Sequence, residues 1–572
     1  MHPSLPPLVE KRVQQWLQEP YDVDTRKHVQ ALLKQSPETL IDAFHTTISF
    51  GTGGMRGIMG VGTNRLNCYT IRSATQGLAN YILSQKISHP RVFISYDSRQ
   101  NSTLFAQETA RVLAGNGIEV YLTENLRPTP FVSFGCRHHR CTAAIMITAS
   151  HNPPEYNGYK VYWSDGAQVV PPHDSGILEE VKKIEHPSEV NLAPLNTPLI
   201  HYVGEEEDTA YYQALLPLQN FPEYNQKHGS DLHILYSPLH GCGITTLPEG
   251  LRSWGFTSLS YVEEQKNPDG MFPHAPSPNP EEEKALKLGI QKLQKEKGDL
   301  LIATDPDADR LGLVVRHQGE PVTLNGNQIA SLCLYYLCIT LTKQKRMPPR
   351  PACITTIVTT ELFKTIAESF DVACFEVLTG FKYIGEKIHE WETQQEGYNF
   401  LFGAEESLGF LYGTHARDKD ATISACLIAE MALQQKKEGK TLVDLLEDLY
   451  AQFGPFQEKQ LSVTFKGTAG QSKMETLMET LRNAPPQEIC GHPLTLIQDY
   501  LKKEEKECST GCVKPLTLPS SNVLVWRLDN QTKFVIRPSG TEPKIKLYGF
   551  IRSNNKTDLN TCLQTIQELY LT

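Results

Sequence analysis

Short apolar runs separated by helix-like stretches mark the first third of the chain. Residues 103–114, which lie between two such runs, carry apolar side chains every three or four positions, which predicts a helix. Strand–helix–strand order favours parallel strands joined by right-handed crossovers. We therefore expect an α/β domain over residues 1–203, opened by helices near residues 5–45 and closed by a proline-rich linker near residues 186–203. Its predicted strands are residues 92–95, 118–122 and 143–147.

The same alternation returns twice further along the chain. Residues 204–319 and residues 320–455 each hold apolar runs of strand length with helix-like stretches between them. Each region, like the first, places a polar loop directly after an apolar strand. The three regions therefore repeat an architecture and not a sequence. We predict a second and a third α/β domain from this pattern. Their predicted strands are residues 232–236, 259–262 and 300–304, then 353–358, 374–377 and 399–402.

The last part of the chain, residues 456–572, has a different pattern. Residues 544–547 alternate between lysine and an apolar residue, which is typical of a sheet with one face towards solvent. With a closing helix near residues 558–570, this region is predicted to be an α+β domain. The predicted fold class is therefore α/β: three similar α/β domains with mixed, mostly parallel sheets, followed by a C-terminal α+β domain. The strands predicted in the last domain are residues 461–465, 523–528, 533–536 and 544–550.

The segment Thr148-Ala149-Ser150-His151-Asn152-Pro153 follows the apolar run at 143–147. Asn152-Pro153 ends the strand, because proline restricts the residue before it and both residue types favour turns. Ligands of open α/β sheets bind just outside the carboxyl ends of the strands, so the Ser150 hydroxyl lies where a nucleophile would lie. The alternative is a hydroxyl that only caps a turn.

A second strand end carries three carboxylates at alternating positions, Asp305, Asp307 and Asp309. In a tight turn such groups repel one another unless a cation lies among them. A calcium loop would need glycine at its sixth position and glutamate at its twelfth, where this chain has Arg310 and Arg316. Hard oxygen ligands that leave room for water and phosphate suit Mg²⁺ better. The alternative is a solvated acidic turn.

Composition sets limits on the partners. The 572 residues are 40% hydrophobic and 21% charged, as in a soluble globular protein, and no apolar stretch approaches the roughly 20 residues that span a bilayer. The formal net charge of −10 argues against nucleic acid or an anionic membrane as a partner. Thirteen scattered cysteines and an N-terminus without a secretory signal favour reduced thiols in the cytoplasm.

Five motifs together resemble the α-D-phosphohexomutase family, which contains phosphoglucomutases and phosphomannomutases. They occur in the order of the family and span residues 51–542, nearly the whole chain. The motifs are an arginine loop Gly51-Thr52-Gly53-Gly54-Met55-Arg56-Gly57, the Ser150 segment as a phosphoserine loop, a metal loop at 305–310, a sugar-recognition loop Glu405-Glu406-Ser407, and a phosphate loop Arg537-Pro538-Ser539-Gly540-Thr541-Glu542.

The resemblance implies a phosphosugar mutase that interconverts hexose 1-phosphate and hexose 6-phosphate, with glucose as the first expectation for the sugar. Phosphorylated Ser150 would exchange its phosphate with the sugar through a bound 1,6-bisphosphate, which also serves as activator. One Mg²⁺ would be held by Ser150, Asp305, Asp307 and Asp309. The family fold places its four domains around a central cleft. The implied partner is a small-molecule sugar phosphate, and the chain is expected to be a monomer or a homodimer.

The resemblance also assigns the other site residues. Besides Ser150, the implied catalytic residues are Arg56, Lys160, His151 and Lys419, and the choice of general base between the last two stays open. The resemblance implies that Glu405 and Ser407 hydrogen-bond the sugar hydroxyls and that the Thr379-Gly380-Phe381-Lys382 loop reads the orientation of the sugar. The loop that begins at Arg537 is implied to hold the non-transferring phosphate. The implied substrate-binding residues are Arg310, Thr379, Gly380, Lys382, Glu405, Ser407, Arg417, Arg537, Ser539, Gly540 and Thr541.

Several alternatives stay open at this point. Ala404 and Pro306 replace glycines that are common in the family, and Pro306 together with the chain length matches its longer members. Those members include phosphopentomutases and sugar-bisphosphate synthases, so these activities and phosphomannomutase activity are the alternatives. A serine hydrolase would need Gly-x-Ser-x-Gly, which Ser150 lacks. A metal-dependent phosphatase would share the three aspartates but would release phosphate.

Overall fold

The computed structural model describes residues 5–51, 53–394, 397–465, 470–538, 544–553 and 556–570. The chain divides into two compact units. The first unit comprises Met1–Asn325, Phe381–Gly403 and Ser407–Thr441, and the second comprises Gly326–Gly380, Ala404–Glu406 and Leu442–Thr572. The thirteen cysteines are free thiols. Among the described helices, none combines the length and apolarity that crossing a membrane requires.

Seven α-helices and a six-stranded sheet lie in the described part of the first 203 residues. Side-chain oxygens of Asp22 and Asn67 accept the free N–H groups at two helix starts, which explains why α2 and α4 begin where they do. The elements are α1 (Pro7–Trp16), α2 (Val23–Gln35), α3 (Pro37–Phe44), β1 (Gly54–Ile58), α4 (Cys68–Ser84), β2 (Arg91–Tyr96), α5 (Ser102–Gly115), β3 (Glu119–Thr123), α6 (Thr129–His138), β4 (Ala143–Ile147), β5 (Tyr156–Trp163), α7 (His173–Lys182) and β6 (Ile200–Val203).

The first sheet has the strand order β1-β5-β4-β2-β3-β6. Strand β2 is parallel to β3 and β4, with Ile94 opposite Ile145, while β5 is antiparallel to β1 and β4. Every residue of β4 is buried, as the apolar run predicts. The predicted linker is wrong at its end, because β6 lies within residues 186–203 and pairs in parallel with β3. A four-residue edge strand after a proline-rich stretch gives little sequence signal.

The second sheet has the order β11-β10-β9-β7-β8. Strands β7, β8 and β9 are parallel, and β10 returns antiparallel to β9 with Leu311 opposite Thr304. The six residues 305–310 therefore form the loop of a hairpin. The elements of this region are α8 (Glu205–Leu215), α9 (Pro222–His228), β7 (Ile234–Ser237), α10 (Leu247–Ser253), β8 (Leu259–Tyr261), α11 (Glu263–Lys266), α12 (Glu283–Glu296), β9 (Leu300–Thr304), β10 (Leu311–His317) and β11 (Glu320–Leu324).

The third region again alternates helices and strands. Strands β12 to β15 make a four-stranded sheet, in which β12 and β13 are parallel with Cys353 opposite Cys374. The elements are α13 (Gly326–Lys343), β12 (Pro351–Thr356), α14 (Glu361–Ser369), β13 (Ala373–Val377), α15 (Phe381–Thr393), β14 (Asn399–Glu405), β15 (Gly409–Tyr412), α16 (Ala421–Lys437) and α17 (Leu442–Phe453).

The last region is an antiparallel sheet with helices on one face. Ile545 and Leu547 are buried in its core while Lys544 and Lys546 are half-buried, so the alternation read from the sequence is confirmed. Strands β17 to β20 and helix α18 were not predicted. The elements are β16 (Phe456–Thr464), α18 (Gly470–Asn483), β17 (Glu488–Ile489), β18 (His492–Asp499), β19 (Glu504–Glu507), β20 (Val513–Pro515), β21 (Leu524–Leu528), β22 (Lys533–Pro538), β23 (Lys544–Arg552) and α19 (Lys556–Tyr570).

The predicted fold class is confirmed: α/β regions with mixed, mostly parallel sheets precede a C-terminal region rich in β-structure. The three boundaries between the four predicted domains and the central cleft stay predictions.

Candidate active site

Ser150 follows strand β4 in an unusual backbone conformation. Its φ of +52° lies in the left-handed region, which costs a non-glycine residue roughly 1–2 kcal/mol. Two hydrogen bonds hold the turn: the Thr148 hydroxyl accepts from the Ser150 N–H at 2.8 Å and donates to Asp97 Oδ2 at 2.6 Å. The loop is therefore fixed in a strained shape, which is common where a side chain must be presented for chemistry.

A buried guanidinium, that of Arg99, anchors this loop. Asp97 pairs with it, with 3.3 Å between Arg99 Nε and Asp97 Oδ2, and both side chains are inaccessible to solvent. The sequence reasoning missed Arg99, although its position just after β2, at the same sheet edge as Ser150, is a signal that could have found it. Arg99 donates to four backbone carbonyls: those of Ser150 at 2.6 Å, Pro153 at 2.8 Å, Tyr156 at 2.9 Å, and Asn152.

The Ser150 hydroxyl meets the aspartate loop from the second sheet. Ser150 Oγ donates to Asp305 Oδ2 at 2.8 Å, although the two residues are 155 positions apart. One oxygen from each of Asp305, Asp307 and Asp309 lies within 4.8 Å of the others, and all three side chains are buried. The structure therefore brings together the predicted nucleophile and the predicted metal ligands in the first unit.

The three aspartates fit a divalent cation. Asp307 Oδ1 and Asp309 Oδ1 are buried and find no hydrogen-bond partner among the residues that the structure describes. A buried carboxylate oxygen without a hydrogen bond is unfavourable, and Arg310 Nε lies 4.0 Å from Asp309 Oδ1, which is too far for one. Both oxygens therefore call for a positive ligand. Burial and repulsion from Asp307 and Asp309 also raise the pKa of Asp305 well above its usual range. An all-oxygen set of this kind suits Mg²⁺.

Two lysines partly balance this charge. Lys160 Nζ lies 2.7 Å from Asp307 Oδ2 and 3.4 Å from Asp309 Oδ2, and Lys419 Nζ lies 3.1 Å from Asp309 Oδ2. Burial opposes ionisation of Asp307, but the charge and hydrogen bond of Lys160 prevail and lower its pKa. Lys160 lies on β5 and Lys419 just before α16, so separate elements supply the cations.

Three further predicted residues lie at the serine loop or at the aspartate loop. His151 Nδ1 is 3.2 Å from Ser150 Oγ, and burial together with the charges of Arg310 and Arg56 lowers the pKa of His151 well below its usual value. This lowered pKa favours the neutral form of the imidazole. Arg56 Nη1 donates to Asn152 Oδ1 at 3.0 Å. The Arg310 backbone N–H donates to Asp305 Oδ1 at 3.0 Å.

Two supporting hydroxyls were not predicted. Thr129 at the start of α6 donates from Oγ1 to Asp307 Oδ2 at 2.6 Å. The buried Tyr162 hydroxyl donates to Asp418 Oδ2 at 2.8 Å, and Asp418 Oδ1 lies 3.1 Å from Lys419 Nζ. The Thr129 hydroxyl orients one of the three aspartates directly, as an outer partner of a metal ligand does. The Tyr162 hydroxyl acts at a greater distance, since it orients Asp418, which holds the Lys419 ammonium that contacts Asp309. Neither residue belongs to a sequence motif that points to chemistry.

The second unit places three of the predicted substrate-binding residues near one another. Glu405 is buried and accepts from the Gly380 N–H at 2.8 Å. Burial opposes the charge of Arg537, but Tyr548, Glu406 and Glu405 prevail and raise its pKa. Thr379 Oγ1 is buried without a hydrogen-bond partner among the described residues. The predicted residues Ser539, Gly540 and Thr541 lie outside the part of the chain that the structure describes.

The remaining predicted residues lie in the first unit. Arg417 is fully buried and donates to the carbonyls of Thr414 and Ala416 and to Glu392, so its contacts are those of an anchored loop. Lys382 Nζ lies 5.0 Å from the centre of the Tyr383 ring, and burial lowers its pKa. Ser407 is half-buried. Substrate binding by these three residues stays a prediction.

Comparison with known proteins identifies the family of this chain. Three domain families match the chain, and together they cover most of it. They are described as "Phosphoglucomutase/phosphomannomutase, alpha/beta/alpha domain" I, II and III, and they match residues 47–188, 209–319 and 325–453 in that order. A phosphoglucomutase of Staphylococcus epidermidis is 40% identical over 519 residues, which cover 90% of this chain and 92% of that protein. The chain belongs to the phosphoglucomutase/phosphomannomutase family.

Other relatives support the same assignment. A phosphoglucomutase of Staphylococcus aureus is 39% identical over 519 residues, which cover 91% of this chain and 92% of that protein. The fold is similar to that of parafusin, an exocytosis-sensitive phosphoprotein and phosphoglucomutase of Paramecium, in an open form. That match has a TM-score of 0.67 and 17% identity, and covers 92% of this chain and 95% of that chain. This family member is an enzyme, a hexose phosphate mutase with a cluster of aspartates able to bind a metal.

Proposed function

We propose that this enzyme interconverts glucose 1-phosphate and glucose 6-phosphate through a phosphorylated Ser150 and a bound glucose 1,6-bisphosphate. The observation that carries the proposal is the 2.8 Å contact between Ser150 Oγ and Asp305 Oδ2. It joins the strained serine loop to the aspartate loop, which is the arrangement that transfer of a phosphoryl group between serine and sugar requires. The choice of glucose rests on the relatives named phosphoglucomutase that are 40% identical.

The proposed reaction keeps phosphate bound throughout. The bond between Ser150 Oγ and phosphorus breaks while a bond forms between phosphorus and the free hydroxyl of the sugar phosphate. The hydroxyl proton leaves to a base, and His151 and Lys419 are proposed to lie beside that hydroxyl. The resulting bisphosphate then returns its other phosphate to Ser150 by the reverse of the same steps. No water enters the balance, which separates this reaction from that of a phosphatase.

Positive charge is the main catalytic contribution that the chain itself makes. Phosphoryl transfer needs in-line placement and charge neutralisation more than new covalent chemistry. We propose that Lys160, Arg56 and Arg310 provide this around the transferring group. Asp305, Asp307 and Asp309, with an oxygen of phosphorylated Ser150, would hold Mg²⁺, which when bound neutralises phosphate charge.

We propose that the substrate is held by a second set of residues, which has Arg310 in common with the first. Glu405 and Ser407 are proposed to bind the sugar hydroxyls, and Arg537 is proposed to bind the phosphate that does not react. A guanidinium suits this role because it donates two parallel hydrogen bonds to a phosphate. The same role is proposed for Ser539, Gly540 and Thr541, while Arg310, Thr379, Gly380, Lys382 and Arg417 are proposed to contact the sugar or its phosphates.

Intact mass and turnover of a matched pair of variants test the proposal. Wild-type enzyme is expected to carry one phosphoryl group, and Ser150→Ala is expected to lose both that mass and at least about 10³-fold in kcat. Ser164→Ala is the control, because Ser164 is an exposed serine in the turn that follows β5. A Ser150→Ala enzyme with full turnover would overturn the mechanism.

Competition between substrates tests the sugar. Glucose 1-phosphate, mannose 1-phosphate and ribose 1-phosphate are supplied together, and the ratio of their conversion rates gives the ratio of kcat/KM. A preference for glucose of at least tenfold is expected. A preference for mannose or ribose would replace glucose in the proposal and leave the phosphoserine mechanism in place.

We also propose that the enzyme works in the cytoplasm as a monomer or a homodimer. The thirteen free thiols suit a reducing compartment, where disulfides rarely persist. Light scattering on the purified enzyme measures the mass in solution, and a trimer or larger assembly would contradict the proposal.

A further inference from the structure

Two adjacent histidines and a buried glutamate meet where α6 ends and α8 begins. His138 is the last residue of α6, His139 follows it, and Glu207 lies in the first turn of α8. One possible ligand atom from each of the three lies within 4.8 Å of the other two. His139 Nε2 and Glu207 Oε2 are 2.6 Å apart. All three residues belong to the first unit, and they are not among the residues of the candidate active site.

The glutamate has an oxygen that its surroundings do not satisfy. Glu207 is 5% exposed, and its Oε1 is buried with no hydrogen-bond partner among the described residues. His139 contacts only the other oxygen, Oε2. Because a buried carboxylate oxygen without a partner is unfavourable, Glu207 is short of one positively charged or donating group.

Aromatic contacts hold both imidazoles in place. The His139 ring stacks on Tyr121, with 4.3 Å between ring centres and 19° between planes. The His138 ring stacks on Phe134 at 5.3 Å and 20°. The two histidine rings are nearly perpendicular, at 89°, with centres 5.2 Å apart. The rings are therefore oriented by packing, and the exposed His138 leaves the cluster open to solvent.

We propose that His138, His139 and Glu207 form a second divalent-cation site, which takes a transition metal such as Zn²⁺. Two imidazole nitrogens and a carboxylate oxygen are a ligand set that zinc favours, with water in the fourth position. The aspartate cluster, which offers only hard oxygen atoms, suits Mg²⁺ instead. The two sites therefore differ in the ion that they select.

The spacing of the donor atoms is compatible with this ion. Zinc–nitrogen and zinc–oxygen bonds of about 2.0–2.1 Å in a tetrahedron put ligand atoms about 3.3 Å apart. His139 and Glu207 would move slightly apart from 2.6 Å, and the exposed His138 ring, whose ligand atom already lies within 4.8 Å of theirs, would shift towards them while it stays against Phe134. The ion would then contact Glu207 in place of the hydrogen bond from His139.

The role of the ion would be to fasten α6 to α8. These helices already meet through the Tyr211 ring, which packs against Phe131 and Phe134. An ion pair of 2.7 Å between Arg127 and Asp208 lies beside it. A metal bound by the ends of both helices adds a third connection, so its effect is expected on stability rather than on turnover.

Zinc binding in excess Mg²⁺ tests the proposal. The full chain is stripped with a chelator and dialysed into excess Mg²⁺, which occupies the aspartate cluster. Zn²⁺ is then titrated by calorimetry, and the bound metal is counted by mass spectrometry after gel filtration. We expect one Zn²⁺ per wild-type chain and a rise in the thermal midpoint on binding.

Single substitutions separate this site from the aspartate cluster. His138→Asn is expected to lower the zinc affinity at least about tenfold, and because His138 is exposed the variant is expected to fold. Glu207→Gln is expected to do the same, while Glu206→Gln, an exposed neighbour in the same helical turn, is the unchanged control. Zinc that does not bind in excess Mg²⁺, or that binds His138→Asn as tightly as wild type, would overturn the proposal.

Discussion

Arg99 shows how one buried side chain sets the position of the reacting group. It holds four carbonyls of the Ser150 loop at once, and a lysine in its place could satisfy fewer of them with a single ammonium. We expect Arg99→Lys to lower kcat about 10–100-fold while KM changes less than about threefold, because the loop positions the nucleophile rather than the substrate.

Steady-state kinetics with glucose 1-phosphate and unfolding in urea measure these effects. The unfolding free energy of Arg99→Lys is expected to fall by about 3 kcal/mol, since carbonyls and Asp97 lose buried partners. Arg91→Lys is the control, because Arg91 pairs with Glu119 in a partly exposed position. An unchanged kcat in Arg99→Lys would show that the loop keeps its shape without the guanidinium.

Thr129 has a narrower effect, on one metal ligand. Its hydroxyl donates to Asp307 Oδ2, which leaves Oδ1 free to face a cation. We expect Thr129→Val to weaken Mg²⁺ binding about tenfold, the lower end of what loss of an outer partner does. Isothermal titration measures the affinity. Thr109→Val is a matched control, because the buried Thr109 hydroxyl has no hydrogen-bond partner among the described residues, and equal Mg²⁺ affinity of the two variants would contradict the assignment.

Much of the candidate site at residue scale follows from the ends of strands. Asp305 comes directly after β9 and Ser150 is the third residue after β4, and the structure places their side-chain oxygens 2.8 Å apart. The position of Arg99 just after β2 was a signal of the same kind, but its role was not predictable, because it acts on backbone carbonyls whose positions depend on the folded chain. Thr129 starts a helix and acts on a distant carboxylate, so the strand ends do not point to it. A sequence pattern shows which side chains can react, but it does not show which other side chains hold the reacting ones in position.

The elements that the sequence predicts best are those with a strong apolar pattern. The run at 143–147 is the buried strand β4, and residues 103–114 fall inside α5. Strand β19 (Glu504–Glu507) is not predicted from the sequence, because all of its residues are charged and its side chains are mostly exposed. Charged side chains are usual on strands with few apolar contacts, where backbone hydrogen bonds and not side-chain burial decide the conformation.

Helix α16 depends on one buried carboxylate for its contact with the start of α9. Glu430 accepts from the backbone N–H groups of Asn220 and Phe221 and from the side-chain amides of Asn220 and Asn225. We expect Glu430→Gln to lower the unfolding free energy by about 2–4 kcal/mol, because the new amide turns a donor towards donors.

Unfolding in urea compares this variant with its control on the same helix. Glu438→Gln changes an exposed glutamate at the end of α16 and is expected to stay within about 0.5 kcal/mol of wild type. If Glu430→Gln were equally mild, water rather than the carboxylate would be satisfying the donors at the start of α9.

At the scale of the whole molecule, the chain carries a net negative charge but gathers several cations at the candidate active site. The net charge is −10, yet Lys160, Lys419, Arg56 and Arg310 all lie at the aspartate loop or the serine loop. The sequence predicts that an acidic protein that binds a phosphate must gather its cations locally. The sequence could not predict which loop cations contact their own loop instead of the aspartates. Arg417 is one of these, since it donates to the carbonyls of Thr414 and Ala416, and such contacts depend on the packing around each loop.

The second unit has its own titrating group. Glu458 on β16 lines a cavity of about 390 Å³ with Thr360, Glu361, Arg527 and Arg552 among its walls. The Thr360 hydroxyl donates to Glu458 Oε1, but burial dominates and raises the pKa of Glu458 to about 7. The native state therefore holds a proton on Glu458 in a range of pH where the unfolded chain has lost it.

This proton makes the stability of the second unit fall as pH rises. Between about pH 4.5 and pH 7 the folded chain binds more protons than the unfolded chain, so the unfolding free energy decreases across that window. We expect a loss of about 2 kcal/mol from pH 5 to pH 8, since each unit of pKa shift corresponds to about 1.4 kcal/mol and partial contact with water reduces the sum. Hydrogen exchange of the β23 amides at both pH values, corrected for intrinsic rates, measures this loss of free energy. The β4 amides of the first unit are the internal control. Glu458→Gln is expected to remove the slope, and a wild-type β23 whose opening free energy is the same at both pH values would contradict the assignment.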